Sequence, residues 1–378
     1  MKRNQQIKMF WRRLYREDHK LKMLMLDVDD EDFAEHLNDC LEAFQSNINP
    51  ILIPSGSSGS YFVRNLRGQY IGVFKPKDEE PFAENNPKWP KFLQRFLCFC
   101  CYGRSCLIPL NGYLSEVAAS LVDERLQLYI VPKTRVVKMA SAAFFIQDDV
   151  GQHQKCIQNR KLSGNQSILF VHGYKPAYDV VPGWELVGTN DPLTSVERKR
   201  FLVLFQKMCI LDYVIRNTDR TMDNWLIRYV SDETLDIAAI DHGLAFPVKH
   251  PETASVLRPF VYGWANMEST REPWDEQLRD RLLSLLTPMF VHRLCMEIKK
   301  LFMIDTTNNR FLISNQLKVF RGQIWNLRLA LMENESPLKM IQRPLVIVTK
   351  RYHRYPTSDI WEECFKAKTP DYSGRRCC

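Results

Sequence analysis

Hydrophobic and polar positions follow two different rhythms along the chain. In INPILIPSGSSGSYFVRNLRGQYIGVFKPK (48–77), two apolar runs flank a Gly/Ser turn, and a second turn, LRGQ, leads to a third run, YIGVF. This pattern predicts three antiparallel strands. A helix is predicted over about 31–46, behind an arm (1–30) that is basic and then acidic and is expected to be mobile. NGYLSEVAASLVDERL (111–126) has helical periodicity, whereas LQLYIVPKTRVVKMA (126–140) reads as strands. Residues 150–166 are polar and read as a loop, and SILFVHGY (167–174) reads as a strand ending at its Gly. From TSVERKRFLVLFQKMCILDYVIRN (194–217) onward the pattern is mainly helical, with Thr194 and Glu197 spaced as a capping box. The expected fold class is α+β, with a β-rich N-terminal half, an α-rich C-terminal half and no internal repeat.

Composition narrows this little. A length of 378 residues is enough for two lobes with separate cores. Hydrophobic residues at 45% and charged residues at 25% are ordinary for a globular protein. The net charge of +8 fits an anionic partner: nucleic acid, an acidic membrane surface or a phosphate compound. The basic N-terminus has no apolar stretch long enough for a secretory leader, and no window reaches 18 uninterrupted apolar residues. With no leader, the eleven cysteines are expected to be free thiols in a reducing compartment.

The chemistry concentrates in RNTDRTMDNW (216–225). Asp219 and Asn224 lie in a loop after a helix, and Asp241 follows in IAAIDHGLAFP at the end of a short apolar strand. Phosphoryl transfer needs one carboxylate to orient or deprotonate the attacking hydroxyl. It also needs a carboxylate and an amide to hold Mg²⁺ against the phosphates. Asp-x4-Asn followed by Asp-x-Gly is the kinase spacing. An Asp/Asn-rich turn with surface charges is the plain alternative. Upstream, SGSSGSYF forms a small-residue turn between strands, and Lys75 lies at the end of the third. Such a turn lets backbone N–H groups approach phosphate oxygens, and a strand lysine pairs with them. A Ser/Gly linker is the alternative there, though β-branched and aromatic residues flank the turn closely.

These motifs stand in kinase order. Together with FKPKDEEPF, NPKWPKFLQ, GYLSE, RNTDR, DNWLI, AAID, GLAFPVKHP and RGQI, the sequence resembles the type II phosphatidylinositol 4-kinases over about residues 31 to 348. The resemblance implies a bilobal protein-kinase-like fold. The N-lobe would span 31–166 with an insertion at 88–106, the hinge and C-lobe 167–348, and a tail 349–378. It implies transfer of the ATP γ-phosphate to the 4-hydroxyl of phosphatidylinositol, with ATP and Mg²⁺ as cofactors. It further implies peripheral attachment to the cytoplasmic face of intracellular membranes (Golgi, endosome or plasma membrane) and no nucleic-acid partner. By position, Ser57, Ser58, Gly59 and Ser60 match the phosphate loop and Lys75 the ATP-binding lysine. Glu80, Pro81 and Phe82 match a substrate-binding segment, and Ile168, Leu169, Phe170 and Val171 the hinge that receives adenine. Asp219 matches the catalytic aspartate, Asn224 and Asp241 the metal-binding pair, and 242–259 the activation-loop region. Three motifs depart from the family's pattern. TDRTMDNW stands for TDRGNDNW, DHG (241–243) for DNG, and CFCC (98–101) for Cys-Cys-Pro-Cys-Cys.

PKWPKFLQRFLCFCCYGRSC (87–106) has a rhythm of its own. At helical spacing Trp89, Phe92, Leu93, Phe96, Leu97 and Cys100 share one face, and Lys88, Lys91 and Arg95 another. That is a basic amphipathic helix suited to an anionic membrane surface, with Cys98, Cys100 and Cys101 as S-acylation candidates. Two alternatives remain open: the helix packs on the protein's own core, or Cys98, Cys101 and Cys106 bind zinc. The terminal GRRCC is a weaker lipidation candidate and is not a C-a-a-X box. A second functional reading keeps the same fold but no turnover, a pseudokinase that holds ATP or a partner. The substitutions at 221, 222 and 242 leave it open. A protein kinase is disfavoured by the lack of His-Arg-Asp and Ala-Pro-Glu signatures.

Overall fold

The computed structural model describes residues 12–14, 22–25, 31–54, 56, 58–80, 106–140, 164–184, 192–254, 260–350 and 365–369. The chain divides into two compact units. One comprises Met1–Leu97, Pro109–Val117 and Pro132–Val171; the other comprises Cys98–Ile108, Ala118–Val131 and His172–Cys378.

The first unit is built on a seven-stranded antiparallel sheet. Its strands are β1 (Arg12–Leu14), β2 (Lys22–Met25), β3 (Ile51–Leu52), β4 (Tyr61–Arg64), β5 (Tyr70–Pro76), β6 (Thr134–Ala140) and β7 (Gly164–Leu169), in the order β1-β2-β6-β7-β5-β4-β3. The three strands expected over 48–77 are β3, β4 and β5. Residues 12–14 and 22–25 fell in the expected mobile arm and are instead a strand pair whose second member joins β6. The charged flanks had masked the short apolar stretch KMLM. Helix α1 (Glu31–Gln45) carries Phe33, Leu37, Cys40 and Leu41 at helical spacing on one face. They pack with Tyr61, Val63, Phe74 and Val137 of the sheet in one buried cluster. Each fully buried side chain of Phe or Leu size contributes about 1.5–3 kcal/mol, so α1 is held by this face. Helix α2 (Gly112–Arg125) begins in this unit.

The second unit holds a three-stranded antiparallel sheet and most of the helix. Its strands are β8 (Lys175–Pro176), β9 (Trp225–Val230) and β10 (Thr234–Ala239), in the order β10-β9-β8. Helix α3 (Ser195–Val214) opens with the expected capping box. The Thr194 side chain accepts from the Glu197 N–H, and the Glu197 carboxylate accepts from the Thr194 N–H. Helices α4 (Glu276–Leu285), α5 (Pro288–Phe302) and α6 (Arg310–Met332) follow. Gly322 of α6 lies under the chain at Val346: a Cβ there would stand 1.9 Å from the Val346 carbonyl oxygen. The Arg321 Nε–H donates to the Val348 carbonyl at 3.1 Å, and Asn326 Nδ2 donates to that of Pro344 at 2.8 Å. β11 (Ile347–Lys350) and β12 (Phe365–Lys368) pair antiparallel. No helix among the described residues is long and apolar enough to cross a membrane.

The strand expected over 126–133 is not formed, and only 134–140 is extended in a sheet. Leu126, Leu128 and Ile130 are buried while Gln127 and Tyr129 are exposed, which reproduces the alternation of a strand. The backbone is instead a tight connection, with Gln127 and Tyr129 at φ +55° and +56°. The Asp123 carboxylate accepts from the Ile130 N–H at 3.0 Å. Periodicity alone does not separate these two conformations.

Candidate active site

In the first unit, β5 ends at Lys75, whose Nζ donates to Glu116 Oε1 of α2 at 2.6 Å. Glu116 is almost wholly buried and Lys75 only partly exposed, so the pair fixes a cation in one position. A strand lysine paired with a helix glutamate is what holds the phosphate-contacting amine in kinases. Glu116 was not singled out from the sequence. It sits 41 residues from its partner, and its signal in the sequence is its place in GYLSE, on the first described α-helix after the lysine strand.

The small-residue turn is packed tightly against the segment after β5. Gly59 N–H donates to the Glu79 carbonyl at 2.9 Å. A Cβ at Gly59 would stand 2.1 Å from the Glu79 carboxylate, so only glycine fits. Tyr61 Oη donates to Glu79 Oε2 at 2.7 Å, which anchors the same carboxylate from β4. Gly56 takes φ +82°, and the Ser58 and Ser60 hydroxyls lie 3.3 Å apart. Glu80, expected beside the substrate, turns inward. Its carboxylate accepts from the N–H groups of Gly112 and Tyr113, at 3.1 and 2.6 Å, and so caps the start of α2. Burial pushes its carboxyl up to about 7 against the pull of those two donors. In the expected hinge, Ile168 pairs with Val73 and Leu169 with Gly72. The Phe170 N–H donates to the Ile71 carbonyl at 3.0 Å. The Phe170 ring packs against Phe62 and Tyr70, and Val171 is half-buried.

In the second unit, the loop after α3 is fixed by a buried carboxylate. Asp212, fully buried near the end of α3, accepts from Arg220 Nε at 2.9 Å, Asn217 Nδ2 at 3.1 Å and Trp264 Nε1 at 2.9 Å. Arg220 also donates to the carbonyls of Asn224 and Ile240. A buried ion pair persists when further hydrogen bonds satisfy its remaining donors and acceptors, and this one has them. Asn217 Oδ1 then accepts from the Asp219 N–H at 3.0 Å, while the Asp219 carbonyl accepts from Thr221 N–H at 3.0 Å and Asn224 Nδ2 at 2.7 Å. Asp219 is therefore pinned on both sides through its backbone. The Ile240 N–H donates to the Asn224 carbonyl at 3.0 Å, which sets the residue before Asp241 against Asn224. Thr218 N–H and Oγ both donate to the Leu244 carbonyl, and Phe246 N–H donates to that of Ile215. Arg216, Asp241 and Phe246 all have left-handed φ, +45°, +55° and +55°. Such residues cost about 1–3 kcal/mol each and gather where a site over-determines the backbone.

The two changed motifs leave this geometry intact. Thr221 stands where the family has Gly and is not among the described residues with positive φ, so the position has no need of glycine. His242 is buried, whereas its neighbour Asp241 is exposed. The substitution in DHG therefore falls on the side away from solvent.

Asn224 spends its amide N–H on the Asp219 carbonyl, which leaves its side-chain oxygen as the atom it can offer a cation. An all-oxygen donor set is what Mg²⁺ takes. Comparison with known sequences decides the family: the model described as phosphatidylinositol 3- and 4-kinase matches residues 56–278, from the small-residue turn past Asp241. The chain belongs to the phosphatidylinositol 3- and 4-kinase family. Within it, a chicken (Gallus gallus) phosphatidylinositol 4-kinase type 2-beta is 39% identical over 85% of this chain and 73% of its own length. A Xenopus laevis type 2-alpha enzyme is 38% identical over 91% of this chain and 79% of its own. Among solved structures, a Helicobacter pylori proinflammatory kinase aligns over 75% of this chain and 94% of that chain, with 13% identity and a TM-score of 0.40. That likeness is too loose to carry an inference.

Of the residues expected at the site, Ser57, Pro81 and Phe82 lie outside the described residues. So do Trp89, Phe92, Leu93, Phe96, Leu97, Cys98, Cys100 and Cys101 of the amphipathic segment, and the terminal Cys pair. Cys106, the described member of the suggested zinc set, is buried, and burial pushes its thiol up to about 12. Among the described residues no group of three His, Cys, Asp or Glu could hold a metal ion.

Proposed function

We propose that this kinase-family chain transfers the γ-phosphate of ATP to the 4-hydroxyl of phosphatidylinositol at a membrane surface. The observation that carries the transfer chemistry is the Asp212–Arg220–Asn217 network, which pins Asp219 and Asn224 in the kinase spacing. The acceptor follows from the relatives, which are named phosphatidylinositol 4-kinases. Turnover is favoured over a pseudokinase because lysine, catalytic aspartate and metal pair are all retained, and the changed residues at 221, 222 and 242 spare them.

Each residue has a separate task. Lys75, held by Glu116, presents its ammonium to phosphate oxygens of ATP. Asp219 accepts the proton of the attacking hydroxyl. Asn224 and Asp241 would hold Mg²⁺, which neutralises the charge that builds up on the phosphate oxygens. Radiolabelled ATP supplied with phosphatidylinositol vesicles tests the reading. Label is expected on the 4-position of the inositol ring; absence of labelled lipid, or label elsewhere on the ring, would overturn it.

Lys75→Ala is expected to lower kcat/KM for ATP on the order of 10²-fold, since one preorganised charge facing the transferring phosphoryl is lost. Wild-type kinetics in that variant would remove Lys75 from the site.

Attachment to the membrane is assigned to the 88–106 segment. The support is its sequence: an apolar face, a basic face and adjacent cysteines. A single acyl chain gives only marginal binding, so a basic helix plus acylation makes up the two signals needed. Replacing Cys98, Cys100 and Cys101 together by Ser is expected to release most of the protein in liposome flotation and cell fractionation. Undiminished membrane binding with no thioester-linked lipid would make these cysteines structural.

A further inference from the structure

One side chain of the catalytic loop is not used by the chemistry above. Arg216, three residues before Asp219, is buried at left-handed φ. Its guanidinium is spent on residues that come later in the chain. It donates to the Glu252 carboxylate, to the Phe260 carbonyl at 2.9 Å and to the Asn217 carbonyl at 3.0 Å. It also lies 4.8 Å from the centre of the Tyr262 ring. Tyr262 stacks on Trp264 at 4.7 Å, and Trp264 Nε1 donates to Asp212, the carboxylate that organises the loop. One cation therefore ties Glu252, in the short helix Pro251–Ala254, and Phe260 to the backbone of the loop that carries Asp219.

We propose that Arg216 is a positioning residue for the lipid acceptor, acting through its ion pair with Glu252. This rests on the lipid-kinase reading above. Three features separate the role from general stabilisation. The Asp219–Asn224 geometry is held directly by the side chains of Asp212, Arg220 and Asn217, and Arg216 reaches Asp212 only at one remove, through Tyr262 and Trp264. Asn217 meets Arg216 only through its backbone carbonyl. The pair is uneven: the arginine side chain is 3% exposed and the glutamate 38%. A buried guanidinium needs a partner to remain buried, while a half-open carboxylate is a cheap residue to give up. Finally, the groups gathered by Arg216 belong to the stretch after Asp241, which is placed beside the loop by Thr218–Leu244 and Ile215–Phe246 backbone contacts. Loosening it shifts what approaches Asp219 from that side and leaves the lysine and metal ligands in place.

The test uses the full chain with Glu252→Gln, which keeps an oxygen acceptor and removes the charge, and Glu252→Ala, which removes both. The expected result is a graded rise in KM for phosphatidylinositol in vesicles, about fivefold for Gln and more for Ala, as one charge-assisted hydrogen bond is weakened and then lost. KM for ATP is expected to move less than about twofold on the same scale. Amide hydrogen exchange over 244–254 and 260–263 should quicken in the same order, and it is read without substrate. Equal rises in both KM values would make the pair merely structural, and unchanged lipid KM with unchanged exchange would also overturn the proposal. If the wild type transfers no phosphate to lipid, the kinase reading fails by itself. Exchange in the two variants then still decides whether Arg216 holds this stretch.

Discussion

Asp219→Asn is expected to lower phosphoryl transfer by about 10²–10⁴-fold, the range set by loss of a positioned general base, with little change in thermal stability. The backbone of Asp219 bears the structural load. Its N–H goes to Asn217, and its carbonyl takes Thr221 and Asn224. These bonds do not depend on whether the side chain ends in a carboxylate or an amide. The asparagine is nearly isosteric but is not a base, so the variant separates chemistry from fold. Steady-state transfer to phosphatidylinositol vesicles and a melting curve on the same preparation give the two readings. Turnover near that of wild type would remove Asp219 from the mechanism. A collapsed melting curve would mean that its carboxylate supports the loop.

The opposite pattern is expected two turns earlier in the chain. Asp212→Ala should cost about 3–5 kcal/mol of stability, because Arg220 is left as a buried charge without its partner. Arg220 and Asp212 both have fully buried side chains. Two further donors, Asn217 Nδ2 and Trp264 Nε1, lose their acceptor at the same time. Asp212→Asn keeps one acceptor oxygen and should fall between wild type and Ala. Urea unfolding of the three proteins checks the order. A midpoint for Asp212→Ala matching wild type would show that the pair contributes nothing to the fold, and the loop would need another explanation for its rigidity.

These two aspartates also show what the sequence reveals and what it hides. Asp219 is legible because its proposed partner Asn224 is five positions away in a loop, where charged and amide groups are conspicuous between apolar runs. Asp212 sits in MCILDYV within α3, where one charge in a helix ordinarily means a solvated face. Its role as an organising residue depends on where the chain turns after the helix: that turn brings Arg220 and Asn217 back to the carboxylate, and Trp264 reaches it from 52 positions later. Glu116 is hidden for the same reason, since its meaning depends on a lysine on another element. Local signals did better: the Thr194–Glu197 capping box, α1 and the three strands of 48–77 all rest on neighbouring residues. The missed connection at 126–133 is a local failure of a different kind. Burial alternates there as in a strand, while the Asp123 side chain supplies the hydrogen bond that a neighbouring strand would have given. Glu80 shows that a motif match carries no information on which way a carboxylate turns: here it faces the start of α2.

The contact at Gly322 bears on where the chain can be cut. The absent side chain of that glycine leaves room for the Val346 carbonyl, and the same carbonyl accepts from His250 Nε2 at 3.0 Å, two residues before Glu252. Val346 thus fills a notch in α6 and steadies a residue close to the catalytic loop's own clamp. A shortened protein ending before residue 346 would open the notch to water and strip His250 of its acceptor. Anyone trimming this chain for expression or crystallisation should therefore treat residues 344–348 as part of the kinase body rather than as dispensable tail.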